Sequence, residues 1–162
     1  MDTHCSFKIR IDIGFAACMT QLNRTLLEVH NNENGLMTDL GTLGRPTASA
    51  RGINNAGQVV GQSLVGNSTH AFVYSQGAMA DLGTLAGGSI SFAYGINNAG
   101  QIVGDADNGQ FTHAFLYSNG AMADLGTLGN NSYARGINDA GQVVGYSRQP
   151  REHMPSYTAM AS

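Results

Sequence analysis

The chain of 162 residues is long enough for one domain with a hydrophobic core. Only 12% of the residues are charged, the net charge is −3, and the eight cations are scattered, whereas nucleic-acid binding needs clustered Lys and Arg. No apolar run approaches the roughly 20 residues of a membrane-spanning helix. The composition therefore favours a protein that neither binds nucleic acid nor spans a membrane.

Residues 1–33 match the rest of the chain poorly and are predicted to form an irregular leader. Lys8 and Arg10, followed by IDIGFAACM, resemble a degenerate export signal. Asp12 interrupts the apolar stretch that such a signal needs. The leader is therefore consistent with export but does not establish it.

Two further features of the leader have alternative interpretations. Cys5 and Cys18 form a disulfide in an oxidising compartment or stay unpaired. The segment 20–29 has the apolar spacing of a short helix. Alternatively, Leu26 to His30 are a decayed copy of a strand that recurs later, and this second interpretation is favoured.

A repeat organises the rest of the sequence. The phrase GINNAGQVVG at 52–61 returns as GINNAGQIVG at 95–104 and GINDAGQVVG at 136–145. The phrase DLGTL recurs with it at Asp39, Asp81 and Asp124, and successive copies lie 41 to 43 residues apart. Self-similarity at a fixed period indicates a repeat architecture.

Each repeat contains four short runs with strand character. In the first repeat these runs, named a to d, are residues 50–54, 58–63, 70–75 and 78–85. An Asn-Ala-Gly turn joins a to b, and a tight hairpin at Gln76-Gly77 joins c to d. Four strands in about 42 residues is the size of a β-propeller blade.

The predicted fold is therefore all-β, a β-propeller-like array of about three four-stranded blades, with a β-solenoid as the alternative. The repeat domain spans 34–149 and is followed by a decayed tail at 150–162. Within it, a d strand at 36–43 precedes repeats at about 44–85 and 86–128 and a partial repeat at 129–149.

The tail keeps part of the repeat. His153 and Tyr157 have the interval of His70 and Tyr74, but Pro155 between them cannot donate a hydrogen bond to a strand neighbour. With the tail included, the chain is ordered d, abcd, abcd, abc. It is then either an open fragment or one of several chains that complete a ring. A homodimer with three blades from each chain would give a six-bladed ring.

One long phrase occurs twice, as HAFVYSQGAMADLGTLAGGS at 70–89 and as HAFLYSNGAMADLGTLGNNS at 113–132. This phrase resembles the HAF repeat of bacterial, often exported proteins. The resemblance covers residues 34 to about 147 and implies a β-propeller-like array located outside the cell or at its surface. It implies no biochemical activity. The leader, Arg45-Pro46 and the tail depart from the pattern.

Polar residues that recur with the repeat are predicted to be structural. His70 and His113 occupy one repeat position, and no partner recurs at metal-ligand spacing. The carboxylates of the DLG phrases are predicted to cap backbone N–H groups in the turn. Asn54, Asn97 and Asn138 are predicted to be turn residues.

The segment from Asp105 to Gly109 occurs in one repeat only. Its alternating carboxylates, Asp105 and Asp107, resemble half of a calcium-binding loop, but no later acidic ligand follows. An ordinary polar loop is therefore favoured, and neither a metal ion nor a cofactor is expected.

The loops between b and c, and between d and a, vary among the repeats and lie at the same end of the strands. Variable loops gathered on one side often form the binding surface of a repeat protein. The candidate ligand-binding residues on this side are Arg45, Phe92, Asp105, Asp107, Phe111, Tyr133 and Arg148.

The sequence thus favours a non-catalytic recognition or scaffold module, exported or at the cell surface, that binds a glycan or a protein. A polysaccharide-acting propeller enzyme is one alternative, and its acids would have to come from Asp105, Asp107, Asp139 and Glu152. A truncated repeat fragment without independent function is the other.

Overall fold

A computed structural model describes residues 28–31 and 36–148, with side chains from Asp39 onward. The predictions for the two cysteines, the export signal and the tail, including Glu152, concern residues outside these ranges. The described ranges contain twelve strands and no helix, so they include none that could cross a membrane. All pairings between strands are antiparallel. The all-β prediction is confirmed.

Two complete sheets follow the predicted order of four strands. The first contains β3 (Ala48–Ile53), β4 (Val59–Val65), β5 (Ser68–Ser75) and β6 (Ala78–Gly83), paired in chain order. The second contains β7 (Ser91–Ile96), β8 (Ile102–Asp107), β9 (Thr112–Ser118) and β10 (Ala121–Asp124), again in chain order. These strands correspond to runs a, b, c and d.

Two sheets at the ends of the described chain have only two strands each. One pairs β1 (Glu28–Asn31) with β2 (Leu36–Asp39). The other pairs β11 (Asn131–Ile137) with β12 (Val143–Arg148). Residues 28–31 are therefore a strand and not part of a helix. The sheets do not close into a ring in the described part of the chain, and a propeller remains a prediction.

The tight turns between c and d form where the sequence permits positive φ. Gln76 and Gly77 have φ of 52° and 84°, and Asn119 and Gly120 have φ of 53° and 80°. A two-residue turn with positive φ at both residues has a backbone twist that matches the right-handed twist of the strands it joins. These turns hold β5 against β6 and β9 against β10.

Successive sheets pack face to face. Strand β7 packs on β3, β4 and β5 of the sheet before it, and β11 packs on β7, β8 and β9. The core between the two complete sheets consists of Val60, Ala71, Leu82, Leu85, Ala93, Ile102, Ala106 and Phe115. The second complete sheet and the β11–β12 sheet therefore each cover one face of the sheet that precedes them.

Each strand b contains a glycine whose Cα lies against the backbone of strand a, so that no space is left for a Cβ atom. A Cβ on Gly104 would lie 2.8 Å from Cε1 of Phe115, its cross-strand partner, and would collide with the carbonyl oxygen of Phe92. Gly61 and Gly145 occupy the same repeat position and approach the carbonyls of Ser49 and Tyr133 equally closely. The sequence-based expectation of a close approach at this glycine is confirmed.

Candidate functional site

The seven candidate residues on the variable loop side do not form one site. Arg45 is exposed, and its Nη2 donates to Oδ1 of Asn67 (3.3 Å). Phe111 is an exposed apolar residue in the loop before β9. Phe92 is half-buried in β7 opposite Asp105. These side chains belong to different loops and strands and share no partner among the residues that the structure describes.

Asp107 has a structural role in its loop. Its Oδ1 accepts hydrogen bonds from the backbone N–H groups of Ser89 (2.6 Å) and Ile90 (2.7 Å). The carboxylate therefore ties the end of β8 to the connection that precedes β7. No group of three His, Cys, Asp or Glu residues that could hold a metal ion occurs within 28–31 and 36–148.

Three of the candidates lie in or beside one cluster centred on Arg135. Nη1 of Arg135 lies 2.5 Å from Oδ1 of the buried Asp105, and Nη2 donates to the hydroxyl of Tyr146 (3.3 Å). The guanidinium carbon is 4.0 Å from the ring centroid of Tyr94 and 5.3 Å from that of Tyr133. This distance range permits cation–π attraction.

The two tyrosines of the last sheet extend the cluster to the end of the array. Tyr133 and Tyr146 face each other across β11 and β12 with ring centroids 4.8 Å apart. The guanidinium carbon of Arg148 lies 5.7 Å from the Tyr133 centroid and 5.9 Å from that of Tyr146. Tyr133 and Arg148 are therefore brought together, and both lie on the terminal sheet.

The pKa values of Asp105, Arg135 and Tyr94 are shifted by burial and by one another. Burial raises the pKa of the Asp105 carboxyl above its ordinary value, although the hydrogen bond and charge of Arg135 act in the opposite direction. Burial lowers the pKa of Arg135, but the hydrogen bonds to Asp105 and Tyr146 outweigh it and the net pKa is raised. Burial and the charge of Asp105 raise the pKa of Tyr94. Arg135 therefore stays charged and Tyr94 stays neutral near pH 7.

The cluster residues that the sequence-based prediction did not include lie at β-bulges. The register shifts between Ala50 and Gly52, and at the equivalent points of β7 and β11, leaving one extra residue on strand a. The extra residues are Arg51, Tyr94 and Arg135. A large planar side chain at the same position of all three repeats is the sequence signal of this cluster.

The recurring His and DLG residues have the structural roles that their repetition suggests. Nδ1 of His70 lies 2.8 Å from Asp81, and Nδ1 of His113 lies 2.7 Å from Asp124. Each of these carboxylates also caps a backbone N–H within the DLG turn, that of Gly83 (2.8 Å) or Gly126 (2.7 Å). The predicted capping is confirmed, and the His partners were not foreseen.

The Asn residues of the GIN phrase do more than form a turn. Nδ2 of Asn54 donates to the carbonyl oxygen of Asn97, and Nδ2 of Asn97 donates to that of Asn138, both at 3.0 Å. Beside them, the backbone N–H of Asn98 donates to Oδ1 of Asp139 (2.9 Å). We call this series the turn ladder. It connects three successive repeats at one edge of the sheets.

The terminal sheet exposes apolar residues that the preceding sheets bury. Val144 of β12 is 65% exposed, whereas Val60 and Val103 at the same repeat position are 0% exposed. Val60 is covered by residues of the second sheet, and Val103 by residues of β11 and β12. Among the described strands, none covers Val144.

A cavity of about 410 Å³ lies beside Gly145 on the other face of the terminal sheet. Its lining includes Ala114, Leu125, Leu128, Ala134, Val143 and Gly145. One repeat earlier, the equivalent residues are Ala71, Leu82, Leu85, Ala93, Ile102 and Gly104, and the ring of Phe115 fills the space between them. Leu125 is accordingly 45% exposed and Leu128 84% exposed, against 7% for each earlier leucine.

Comparison with known proteins finds no family model, no curated protein and no solved structure that matches this chain.

Proposed function

We propose that this chain is a non-catalytic scaffold module of the HAF-repeat type, exported or at the cell surface, that self-associates through its β11–β12 end. The observation that supports this proposal most directly is the exposure of Val144, 65% against 0% for Val60 and Val103. The same side chain at the same repeat position is buried wherever another sheet follows it. A partner that continues the stack would bury this side chain as the following sheets bury Val60 and Val103.

The apolar residues of this end fit a polypeptide partner. Val144 is apolar, and Leu128, which lines the cavity on the opposite face of the terminal sheet, is 84% exposed. The equivalent valine, Val60, packs against Ala93 and Ile102, which are apolar strand residues. A β-sheet of similar composition therefore fits this surface.

The non-catalytic part of the proposal is supported by the occupation of the candidate acids. Asp105 is paired with Arg135, and Asp107 accepts two backbone N–H groups. Asp139 accepts hydrogen bonds from the backbone and side-chain nitrogens of Asn98. Each of these three carboxylates thus has structural partners that hold it in place.

The proposal is tested by the solution mass of the chain across a concentration series. We expect the unmodified chain to associate and Val144→Asp to remain monomeric, because a charge cannot be buried there without a partner. Ile90→Asp is the matched control, since Ile90 is 40% exposed in a loop of the complete sheets and should not affect association. Equal association of the chain and of Val144→Asp, or a monomer at every concentration, would contradict the proposal.

A further inference from the structure

The two incomplete sheets supply complementary halves of one complete sheet. In the complete sheets, strands a, b, c and d pair in that order. β11 and β12 are strands a and b, with the same bulge, whereas β1 and β2 occupy the places of c and d because β2 ends at Asp39 of a DLG phrase. Within the described residues, β12 is paired only with β11, and β1 only with β2. In the described part of the chain, one edge of a b strand and one edge of a c strand are therefore unpaired.

The turn ladder also ends in complementary groups. Nδ2 of Asn54 and of Asn97 each reach the carbonyl of the next turn, but Nδ2 of Asn138 bonds only Gln142 among the described residues. At the other end, the only donor to the carbonyl of Asn54 within residues 28–31 and 36–148 is the N–H of Gly57 in its own turn. One end of the ladder thus offers a donor, and the other offers the matching acceptor.

The apolar surfaces at the two ends match in the same way. Ile53 on β3 is 57% exposed, although its counterparts Ile96 and Ile137 are half-buried against the preceding sheet. Val144 is open at the opposite end of the array. In the interior of the array, residues at these two positions belong to facing sheets. Joining the ends would therefore place Ile53 and Val144 at one interface of the existing type.

From these three observations we infer that a second copy of this chain docks head to tail on the first. The β1–β2 hairpin of the second copy pairs with β12 and completes a four-stranded sheet, and its β3–β6 sheet then covers Val144. This inference rests on the proposed self-association and identifies the strands that carry it. If two copies join reciprocally, the two complete sheets of each copy and two shared sheets make six.

The repeat fixes the register of the shared sheet. In the complete sheets, the b–c pairs are Val60 with Val73 and Val103 with Leu116. In the c–d pairs, Phe72 lies opposite Asp81, and Glu28 lies opposite Asp39. Glu28 therefore takes the place of Phe72. It follows that Val144 pairs with Val29 of the second copy, and Gly145 pairs with Glu28.

This register places an acidic residue where an aromatic residue is expected. The cavity beside Gly145 corresponds to the space that Phe115 fills over Gly104. Glu28 holds that position in β1. A phenylalanine at position 28 would supply the missing ring, so the docking geometry predicts that Glu28→Phe strengthens the association.

The register is tested by disulfide formation between two separately purified full-length variants, each with Cys5→Ser and Cys18→Ser. One carries Val144→Cys and the other Val29→Cys. After mixing under mild oxidation, we expect a disulfide-linked dimer, since directly opposed residues satisfy disulfide geometry. Val143→Cys with Val29→Cys is the control. A shift by one residue reverses the side-chain face and should reduce the yield at least about fivefold.

Association without preferential linkage of Val144→Cys to Val29→Cys would overturn the inference and leave the proposed self-association standing. A chain that does not associate would overturn both. A second measurement compares the dissociation constants of Glu28→Phe and Glu28→Gln. The glutamine removes the charge without adding a ring, and we expect the phenylalanine to bind about tenfold more tightly. Equal dissociation constants for these two variants would contradict the placement of residue 28 over Gly145.

Discussion

The pair Val103 and Val144 allows the packing of the array to be measured with one substitution at two equivalent positions. Val103→Ala removes two methyl groups from a site that is 0% exposed and packed against Ala114 and Ala134. At about 0.8 kcal/mol for each buried carbon, with a cavity contribution added, the expected loss in the free energy of unfolding is about 2 kcal/mol. In the isolated chain, Val144→Ala should cost about 0.5 kcal/mol or less, because the residue is 65% exposed.

Urea unfolding at low protein concentration measures both losses, provided that the dependence on urea is unchanged between variants. At higher concentration, the cost of Val144→Ala should grow, because association stabilises the folded state by mass action. Equal losses for the two variants at low concentration would refute the assignment of Val144 to an open face. A cost for Val144→Ala that is independent of concentration would show that association does not cover this residue.

Three further predictions concern contacts within a single chain. Hydrogen bonds from Asn98 hold the pKa of Asp139 below its ordinary value of 3.8, so its stabilising contribution is complete above that value and is lost as the pH falls through the lower, folded-state pKa. Asp139→Asn keeps an oxygen acceptor and should lose less stability in acid, and identical acid unfolding profiles would contradict this role. Asn97→Ala removes a link of the turn ladder from a buried site and should lower the free energy of unfolding by about 2 kcal/mol, measured by urea unfolding; a loss below about 0.5 kcal/mol would mean that the ladder contributes little. Phe115→Ala should cost about 3–5 kcal/mol in the same assay and Phe111→Ala about 0.5 kcal/mol or less, and the prediction fails if the two costs are similar.

The local structure of each repeat could be predicted because its determinants are close in sequence. The Gln76-Gly77 pair indicates a tight hairpin, and the structure has positive φ at both residues. The DLG carboxylates were expected to cap nearby N–H groups, and Asp81 does so two residues along the chain. A repeated phrase samples the same local geometry several times, which makes such predictions robust.

Contacts between repeats were not predicted, because they depend on how the sheets stack. Arg135 lies against Tyr94 and Asp105, which belong to the preceding sheet. The turn ladder likewise joins Asn54 to Asn97 across 43 residues. Neither contact follows from the pattern within one repeat, although the repeat position of each residue was visible.

The binding surface was predicted from loop variability. Variability does not indicate whether side chains from different loops lie close together in space. The candidates Arg45 and Phe111 remain on separate loops, and Asp107 is engaged by its own loop backbone. The feature that distinguishes the terminal sheet is the absence of a neighbour over Val144 within the described chain. Only the three-dimensional comparison of equivalent positions shows this difference.

The turn ladder gives the molecule a polarity. Each side-chain amide donates toward the next repeat in the chain, from Asn54 to Asn97 and from Asn97 to Asn138. Contacts that follow this direction are heterologous, so they generate a closed ring when the rotation between sheets divides the circle and an open fibre when it does not. A subunit with a blocked donor end would therefore stop the growth of a fibre in one direction only. A ring already closed would offer it no site.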